Sequence, residues 1–445
     1  MIHTALVKLW GTTIGAVSLD DTQRTANFEY DHAFISSGIE VSPVVMPLKR
    51  GVYSFPNLSY ESFHGLPGLV SDSIPDKYGN ELINLWLAKQ GRLPESFNAV
   101  ERLCYTGNRG MGALEYEPAV TAAADQAEVV HVSELVELAS MVLSNRRDLK
   151  EVLEECEKKR LSESLKHIIS LGTSAGGARA KAVIAWNPKT NEVRSGQIET
   201  GSGFDYWLIK FSGVTGNKDK EEDDLADFGM IEYAYYLMAK SCGINMAPCR
   251  LLDDGKNRHF MTKRFDRTDD GKKLHMQSLA AMGHFDFNQA GSTSYEQTFT
   301  ILNALGIGHQ HKVDLFRRMV FNVVACNCDD HVKNISFLMD RSGKWTLAPA
   351  YDISFAYNPA GAWTSSHQMT INGKRKNIEE ADFETCAKIA GLKNAEKQRV
   401  IAEVFDGVGK WMEFAASAGV KEERALGIGR EIVEEVHGMG KTKNL

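Results

Sequence analysis

The spacing of hydrophobic and polar positions predicts a β-rich beginning and a mostly helical end to the chain. Short alternating runs separated by Gly and Asp turns predict strands at 5–10, 12–19 and 25–30. Apolar residues at helical spacing predict a helix over 77–90, preceded by the polar stretch 71–76. The first hundred or so residues are therefore expected to form a small β-rich unit.

The pattern weakens beyond this unit and then becomes helical. A glycine-punctuated turn at 108–114 leads into a short strand, and the Ala-rich stretch 118–130 is a candidate linker. Ser133 is placed to cap a helix that runs through Val142. The highly charged stretch 147–161 predicts a second helix, which we expect to face solvent.

Strands alternate with loops from about Ser162, and helices dominate after Asp266. A helix is predicted over 226–241, where Cys242 and Gly243 provide a glycine stop. The other strands predicted here are 181–186, 206–211, 249–252 and 259–263, and the other helices are 295–305, 313–327 and several from 381 onward. A β-rich lobe followed by a helical lobe is the arrangement found in protein kinases.

Composition narrows the class of protein. The 445 residues are 43% hydrophobic and 24% charged, as in an ordinary globular protein of two or three domains. A net charge of -7 argues against a general nucleic-acid binder. No signal peptide or membrane-length apolar run is visible, so we expect a cytoplasmic protein. The seven Cys include a Cys326-x-Cys328 pair without a second pair at zinc spacing, which favours free thiols.

The segment 328–334 carries the most informative motif. Asp329 and Asn334 are five residues apart, and Asp352 follows eighteen residues later, beyond a predicted hairpin at 335–347. In protein kinases an Asp at this spacing accepts the substrate hydroxyl proton, and the Asn and the later Asp hold Mg²⁺ on ATP. Taken alone, an ordinary polar helix end followed by a hairpin explains the same residues equally well.

Two features upstream suit the phosphates of a nucleotide. The small residues of 174–181 allow backbone N–H groups to approach phosphate oxygens, although a plain glycine loop is the commoner explanation. Lys210 lies in the apolar strand 207–211, where it needs an anionic partner unless strand alternation exposes it to solvent. Glu232 is one candidate partner, and the acids that leave this assignment open are Glu221, Glu222 and Asp227.

The run Lys263-Arg264-Phe265-Asp266-Arg267 closes a strand just before the helical half. A kinase hinge offers backbone hydrogen bonds and an apolar side chain to adenine, a role open to Phe265. By itself the run is a charged strand exit. The features nevertheless follow one another in the order found in kinases: glycine loop, strand Lys, helix, hinge, D-x-x-x-x-N motif, hairpin and Asp352. This order favours an ATP-dependent kinase.

These motifs together resemble the HipA family of bacterial toxin kinases, from type II toxin–antitoxin systems. The segments that carry the resemblance are 65–68, 72–76, 112–114, 174–181, 208–210, 263–267, 329–334 and 351–353. The resemblance implies an α+β, two-lobed, protein-kinase-like fold with an N-terminal β-rich subdomain and an all-helical C-terminal lobe. The corresponding domains would be 1–120, 121–265 and 266–445.

The resemblance also implies roles for individual residues. Asp329 matches the catalytic base, Asn334 and Asp352 match the magnesium ligands, and Ser174 matches a serine that family members autophosphorylate. The residues expected to bind ATP are Gly176, Gly177, Ala178, Arg179, Ala180, Lys181, Lys210, Lys263, Arg264, Phe265, His331, Lys333, Asn334, Tyr351 and Asp352. A phosphate on Ser174 would compete with ATP for the backbone donors of the glycine loop.

Partners and substrate follow from the same resemblance. The family implies ATP and Mg²⁺ as cofactors, a HipB-type helix-turn-helix antitoxin as partner, and contact with operator DNA mainly through that antitoxin. Family members phosphorylate a serine of an aminoacyl-tRNA synthetase, glutamyl-tRNA synthetase in the best-known case, and so arrest growth and favour persistence. The sequence does not identify the target of this chain.

The family signature does not specify the residue after the base, and in this chain that residue is a second acid, Asp330. It could raise the pKa of its neighbour or bind a second cation. Spacing favours Asp329 as the base, because Asp330 is only four residues from Asn334. Two alternatives stay open: a catalytically weak corepressor that bridges antitoxin dimers on DNA, and a metal-dependent phosphohydrolase that uses Asp329, Asp330, His331 and Asp352.

Overall fold

The structure is a computed structural model, and the chain forms two compact units. It describes residues 2–20, 24–120, 129–145, 149–159, 161–172, 179–197, 200–215, 227–268 and 270–439. The first unit comprises residues 1–40, 48–229 and 250–276. The second unit comprises residues 41–47, 230–249 and 277–445.

The N-terminal part of the first unit is built on a five-stranded antiparallel sheet with the order β4-β3-β2-β1-β5. Its strands are β1 (Thr4–Leu9), β2 (Thr12–Asp20), β3 (Thr25–Tyr30), β4 (Val52–Ser54) and β5 (Leu114–Glu117). Alternate residues such as Val7 and Leu9 are buried, so the period-two pattern covers one face of the sheet. The three strands predicted at the N-terminus are confirmed.

A second five-stranded sheet in the first unit has the order β7-β6-β8-β10-β9. Its strands are β6 (Lys181–Trp186), β7 (Val193–Ser195), β8 (Asp205–Lys210), β9 (Cys249–Asp253) and β10 (Arg258–Lys263). One face of this sheet packs in a hydrophobic core with helices that include α4 and α6–α8. The helices of the first unit are α1 (His32–Ile35), α2 (Tyr60–Phe63), α3 (Gly68–Ser71), α4 (Lys77–Lys89), α5 (Ala99–Thr106), α6 (Val132–Ser144), α7 (Leu149–Lys158) and α8 (Ser162–Leu171).

Two predictions about these helices are wrong. Helix α6 has His131 at its N-cap, and no side chain caps it, so Ser133 lies inside the first turn. Helix α7 does not simply face solvent, because Val152 and Cys156, four residues apart, are both buried in the core. Four-residue spacing places two side chains on one helix face. The apolar stripe on this face is narrow and lies among many charged residues, so the sequence pattern did not indicate it.

The second unit is mostly helical. Helix α9 (Phe228–Ser241) and strand β11 (His275–Ser278) each contain a boundary between the units. The other elements are α10 (Leu279–Gly283), α11 (Tyr295–Ala304), α12 (His309–Val324), β12 (Ser336–Met339), β13 (Trp345–Leu347), α13 (Phe383–Ala390), α14 (Asn394–Val408), α15 (Trp411–Ala418) and α16 (Glu422–Gly438). The predicted hairpin is present as β12 and β13, so this lobe is not all-helical.

All seven Cys are buried and form no disulfide bonds. Among the helices in the described ranges, none combines the length and the apolar composition that crossing a membrane would require.

Candidate functional site

Strand register brings two predicted ATP-binding lysines together on one face of the second sheet. Lys181 on β6 and Phe260 on β10 both pair directly with Lys210 on the central strand β8. Directly opposed residues project from the same face of a sheet. The alternate positions, Ala182, Ile209 and Met261, belong to the hydrophobic core on the other face. The lysine positions thus follow from strand alternation.

Both lysines are buried, with exposed fractions of 2% for Lys181 and 8% for Lys210. The alternative in which alternation exposes Lys210 to solvent is therefore wrong. Two ammonium groups at opposed positions concentrate positive charge on this face of the sheet. The Lys210 Nζ also lies 5.8 Å from the centre of the Phe260 ring. This face of the sheet is well suited to an anion such as a nucleotide phosphate.

The predicted hinge leaves the same sheet at the end of β10. Lys263 Nζ lies 3.0 Å from an Asp205 carboxylate oxygen, and Phe265 is partly buried. The Arg264 guanidinium forms two hydrogen bonds to Asp266, Nε to Oδ1 at 2.9 Å and Nη2 to Oδ2 at 2.6 Å. The Arg264 backbone N–H donates to the Tyr206 carbonyl. The Arg264 side chain is therefore directed at a buried carboxylate.

Asp266 is the centre of a buried ionic cluster that the sequence did not reveal. Its Oδ2 also accepts hydrogen bonds from Arg267 Nη1 at 2.8 Å and from the Gly112 backbone N–H at 2.7 Å. Burial would raise the pKa of Asp266, but the Arg264 and Arg267 guanidiniums outweigh it and hold that pKa well below its usual value. The cluster joins the turn before β5 to the hinge, across 154 residues of sequence.

In the second unit, backbone pairing fixes the start of the predicted catalytic loop. Helix α12 ends before Cys326, which has a left-handed φ of 52°. The Cys328 N–H donates to the Ala356 carbonyl at 3.0 Å, and the Ala356 N–H donates to the Cys326 carbonyl at 3.2 Å. The loop that carries Asp329 is thereby tied to the segment that follows Asp352.

Asn334 and Asp352, the predicted magnesium ligands, line one cavity together with His331 and Tyr351. Asn334 Nδ2 donates to the Asp329 carbonyl at 2.9 Å, which uses the donor side of the amide and leaves its oxygen available as a ligand. Asp352 has a left-handed φ of 54°, a conformation that needs support from its surroundings. The Tyr351 hydroxyl provides such support by donating to the Lys333 carbonyl at 2.5 Å.

The donor types at this cavity fit Mg²⁺. Asn334 and Asp352 offer an amide oxygen and a carboxylate, which are hard ligands. In the described ranges, no group of three or more His, Cys, Asp and Glu side chains is arranged to hold a metal. Mg²⁺ is usually bound through one or two carboxylates together with substrate phosphates and water.

Asp329 and Asp330 are adjacent but have different surroundings. The Asp329 side chain is 38% exposed, and its Oδ1 accepts a hydrogen bond from Trp363 Nε1 at 2.7 Å. His331 Nε2 lies 3.7 Å from the same oxygen. Burial raises the pKa of Asp329 and outweighs the lowering by His331 and by the Trp363 hydrogen bond. The charges of Asp352 and Asp330 add to the rise in this pKa. An accessible carboxylate with a raised pKa is suited to accept a proton.

Asp330 is buried and hydrogen-bonded through both oxygens. Its Oδ1 accepts from the Gln368 backbone N–H at 2.7 Å, and its Oδ2 accepts from the Tyr295 hydroxyl at 3.0 Å. His367 Nδ1 lies 3.1 Å from Oδ2. Burial alone would lower the pKa of His367, but the Asp330 carboxylate more than offsets this, so that pKa is raised well above its usual value. Asp330 therefore has a structural role as the partner of a buried imidazolium.

The remaining predicted positions either fall outside the described residues or have other contacts. Ser174, Gly176, Gly177 and Ala178 fall outside the described residues. Arg179 lies with its guanidinium carbon 4.2 Å from the centre of the Phe228 ring, and Ala180 is buried. Lys333 Nζ lies 4.5 Å from the centre of the Phe287 ring. Of the acids considered as partners for Lys210, Glu232 and Asp227 are buried, and Glu221 and Glu222 fall outside the described residues.

The sequence did not single out Trp363, His367, Tyr295 or Asp266. Trp363 and His367 lie more than thirty residues from the acids they contact. No spacing rule predicts such pairs. Asp266 was visible as an acid between two arginines, which is the only local signal that this set offered.

Comparison with known proteins places the chain in a family. Residues 173–438 match the HipA-like C-terminal domain, and residues 5–117 match the HipA N-terminal domain. The chain belongs to the HipA family. The family inferred from the sequence is confirmed.

A solved structure supports the same fold. The chain resembles HipA of Shewanella oneidensis, solved with HipB and its operator DNA, with a TM-score of 0.64 and 17% identity. The match covers 98% of this chain and 96% of that one. The predicted α+β fold, with its β-rich N-terminal part and helical C-terminal region, is confirmed.

Two curated relatives are named putative kinases. One, Y4mE of Sinorhizobium fredii, is 27% identical over 184 residues, which are 38% of this chain and 42% of the relative. The other, from Haemophilus influenzae, is 28% identical over 134 residues, which are 27% of this chain and 39% of the relative. The chain thus spans about two fifths of the length of each relative that it matches.

Proposed function

We propose that this protein is a serine/threonine protein kinase of the HipA toxin type, which transfers the γ-phosphoryl group of ATP to a serine hydroxyl. The observation that carries the proposal is the placement of Asn334 and Asp352 on one cavity, with Asn334 bonded to the main chain of a partly exposed Asp329. This arrangement supports the assignment of Asp329 as proton acceptor and of Asn334 and Asp352 as magnesium ligands, the groups that phosphoryl transfer requires.

In the proposed reaction the serine Oγ attacks the γ-phosphorus, and its proton passes to Asp329. The bond from the γ-phosphorus to the bridging oxygen breaks, and ADP leaves with that oxygen. Bound Mg²⁺ supplies charge neutralisation on the phosphates and would be held by Asn334 and Asp352. Catalysis of this type depends on positioning and electrostatic stabilisation rather than on covalent chemistry by the protein.

We assign the remaining predicted residues to the nucleotide. Lys210 and Lys181 hold the phosphates, a role supported by their burial at opposed positions on one sheet face. Lys263, Arg264 and Phe265 border the adenine. The residues assigned to the nucleotide's surroundings are Gly176, Gly177, Ala178, Arg179, Ala180, His331, Lys333 and Tyr351.

Regulation and partners are proposed from the family. Autophosphorylation of Ser174 would inactivate the kinase by competing with ATP for the glycine loop. A HipB-type antitoxin would neutralise the toxin and link it to operator DNA. The substrate would be a serine of an aminoacyl-tRNA synthetase or another protein of translation. Such a substrate implies a cytoplasmic kinase, and its phosphorylation would lead to growth arrest and persistence.

A second function, corepression, is favoured by the related HipA that was solved with HipB and operator DNA. In this case the chain bridges antitoxin dimers on DNA and catalyses weakly. A phosphohydrolase that uses Asp330 is disfavoured, because both Asp330 oxygens already accept hydrogen bonds within the protein.

The proposed activity is tested by incubating the protein with Mg²⁺ and γ-labelled ATP. We compare the wild type with Asp329→Asn, Ser174→Ala and the surface control Asp406→Asn, whose carboxylate is largely exposed and pairs with Lys410. Label should appear on the wild type and the control and disappear from the other two. Absence of label from the wild type, with ATP-independent release of phosphate from phosphoproteins, would contradict the proposal.

A further inference from the structure

We propose that Trp363 is a positioning residue for the proposed kinase reaction, in which its indole N–H holds the Asp329 carboxylate in the orientation that accepts the substrate proton. The inference rests on the proposed function, because it assigns Asp329 the role of base. Trp363 does not touch substrate in this account. It acts through one oxygen of Asp329.

The geometry of the contact supports this role. Trp363 Nε1 donates to Asp329 Oδ1 across 2.7 Å, a short distance for an N–H donor and typical of a bond to a charged acceptor. Because the bond occupies Oδ1, it leaves Oδ2 to receive a proton. A carboxylate on a short side chain can rotate about its χ angles, and a single strong donor restricts that rotation.

The segment that carries Trp363 is itself held firmly. Gln368 Nε2 donates to the Trp363 carbonyl at 2.5 Å, and the Gln368 backbone N–H donates to Asp330. The ion pair between His367 and Asp330 fixes the residue directly before Gln368. The chain therefore binds two consecutive acids with one segment: Asp330 through His367 and Gln368, and Asp329 through Trp363.

The Trp363 ring also contacts a second residue of the catalytic loop. Its centre lies 6.4 Å from that of the His331 ring in an edge-on arrangement. Asp329 thus has Trp363 as its hydrogen-bond donor and His331 as a neighbouring ring. Removal of the indole N–H with retention of an aromatic ring should loosen the carboxylate while the loop keeps its fold.

Trp363→Phe makes this change, and Trp411→Phe is the matched control. Trp411 also donates its indole N–H, to the Ala425 carbonyl at 2.8 Å, and lies in the same unit but in helix α15. For Trp363→Phe we expect kcat for transfer from ATP to fall about 10- to 100-fold, as misplacement of a catalytic group does. The KM for ATP should stay within about twofold of the wild type, because Trp363 does not bind the nucleotide.

A second readout tests the contact without activity. The chain has seven Trp, so ¹⁵N-indole labelling gives a small set of indole N–H resonances. The Trp363 resonance, assigned by its loss in Trp363→Phe, should shift in Asp329→Ala, and the Trp411 resonance should not. Both results together support the inference.

The outcomes separate this inference from the proposed function. An active wild type with an unimpaired Trp363→Phe variant, or an indole resonance indifferent to Asp329→Ala, overturns the role of Trp363 alone. Equal losses of activity and melting temperature in Trp363→Phe and Trp411→Phe show a merely structural role and also overturn it. A wild type without any phosphoryl transfer overturns the proposed function and the catalytic role of Trp363 with it.

Discussion

The first unit has a lysine face, formed by Lys181 and Lys210, and the second unit has an acid loop, which carries Asp329 and Asp330. The two regions position their charged groups by different means. Lys181 and Lys210 lie in regular strands, and their positions follow from register alone. Asp329 and Asp330 lie in a loop, and their positions depend on donors from distant parts of the chain. In the proposed function the lysines bind nucleotide phosphates, and strands hold such cations rigidly. The proposed proton acceptor, Asp329, needs a defined orientation, which the loop obtains through added hydrogen bonds.

Each unit contains a buried ionic cluster built on an aspartate, and the partners of the two aspartates differ. Asp266 in the first unit is compensated by Arg264 and Arg267, which are always charged. Asp330 in the second unit is compensated by His367, whose charge depends on pH. The first unit should therefore keep its internal charge balance over a wider pH range than the second.

The largest effect should come from the acid loop. Asp329→Asn removes the proton acceptor with little change of shape, and we expect kcat to fall about 10²- to 10⁴-fold, the usual contribution of general base catalysis. ATP affinity should change little. Steady-state transfer and ATP binding by calorimetry measure the two effects. Unchanged kcat would show that the base lies elsewhere.

A change on the lysine face should act on binding instead. Lys210→Met keeps the aliphatic stem and removes the ammonium, and we expect ATP affinity to fall about 10- to 100-fold, since a hydrogen bond to a charged group contributes about 1.5–3 kcal/mol. Lys189→Met, in an exposed turn of the same unit, is the control. Equal ATP affinity of the wild type and Lys210→Met would contradict the phosphate role of this face.

The two ionic clusters should matter for stability to a similar extent. Asp266→Ala leaves two buried guanidiniums without their carboxylate, which typically costs about 3–5 kcal/mol. Asp330→Ala leaves the buried donors of Tyr295, His367 and Gln368 without their acceptor, at about 1–3 kcal/mol for each donor that stays unpaired. Asp406→Ala removes a surface pair and should cost about 0–1 kcal/mol. Urea unfolding measures all three. A loss below about 1 kcal/mol for Asp330→Ala would show that its hydrogen bonds do not stabilise the loop.

The pH dependence should distinguish the clusters. The folded-state pKa of His367 is raised, so its contribution to stability is fully present below about pH 6.5, its unfolded pKa, and is lost as pH rises through the folded pKa. That of Asp266 is lowered, so its contribution is present above about pH 3.9 and is lost as pH falls through the folded pKa. The two clusters therefore lose their contributions to stability in different pH ranges, the His367 cluster as the pH rises and the Asp266 cluster as the pH falls.

Urea unfolding of the wild type and His367→Gln from mildly acidic to alkaline pH tests this difference. The stability gap between the two should be largest at acidic pH and shrink as pH rises. A gap that grows with pH would mean that His367 is neutral in the folded protein.

The smallest effect concerns the turn that meets the Asp266 cluster. Gly112 has a φ of +76°, and a Cβ there would lie 2.9 Å from the Met276 backbone nitrogen. Gly112→Ala should destabilise the protein by about 1–3 kcal/mol through strain and displacement of its N–H from Asp266. Gly11→Ala, also at positive φ but with open space around it, should cost less. Thermal unfolding compares the two.

The sequence predicted most of the fold because strand alternation and helical spacing are local. The β3 and β6 bounds agree with the predicted 25–30 and 181–186. Helix α12 was predicted from residue 313, although it begins at His309, because its first turn is polar and exposed. Local patterns report which face is buried but say little about polar ends.

The site was only partly predictable for the same reason. Spacing identified Asp329, Asn334 and Asp352, and the structure places the last two on one cavity. The donors that distinguish Asp329 from Asp330 come from residues 295 and 363–368, at separations of more than thirty residues. Which acid is accessible and which is buried depends on tertiary contacts, so no reading of the motif alone could decide it.

The central claim is the proposed pair of roles in ATP binding, in which Lys210 acts on the phosphates and Asp352 holds Mg²⁺. ATP binding to the wild type, Lys210→Met and Asp352→Asn, each with and without Mg²⁺, tests it most directly. We expect Lys210→Met to weaken ATP binding in both conditions and Asp352→Asn to abolish the gain in affinity that Mg²⁺ gives the wild type. A wild-type gain from Mg²⁺ that survives in Asp352→Asn would contradict the account.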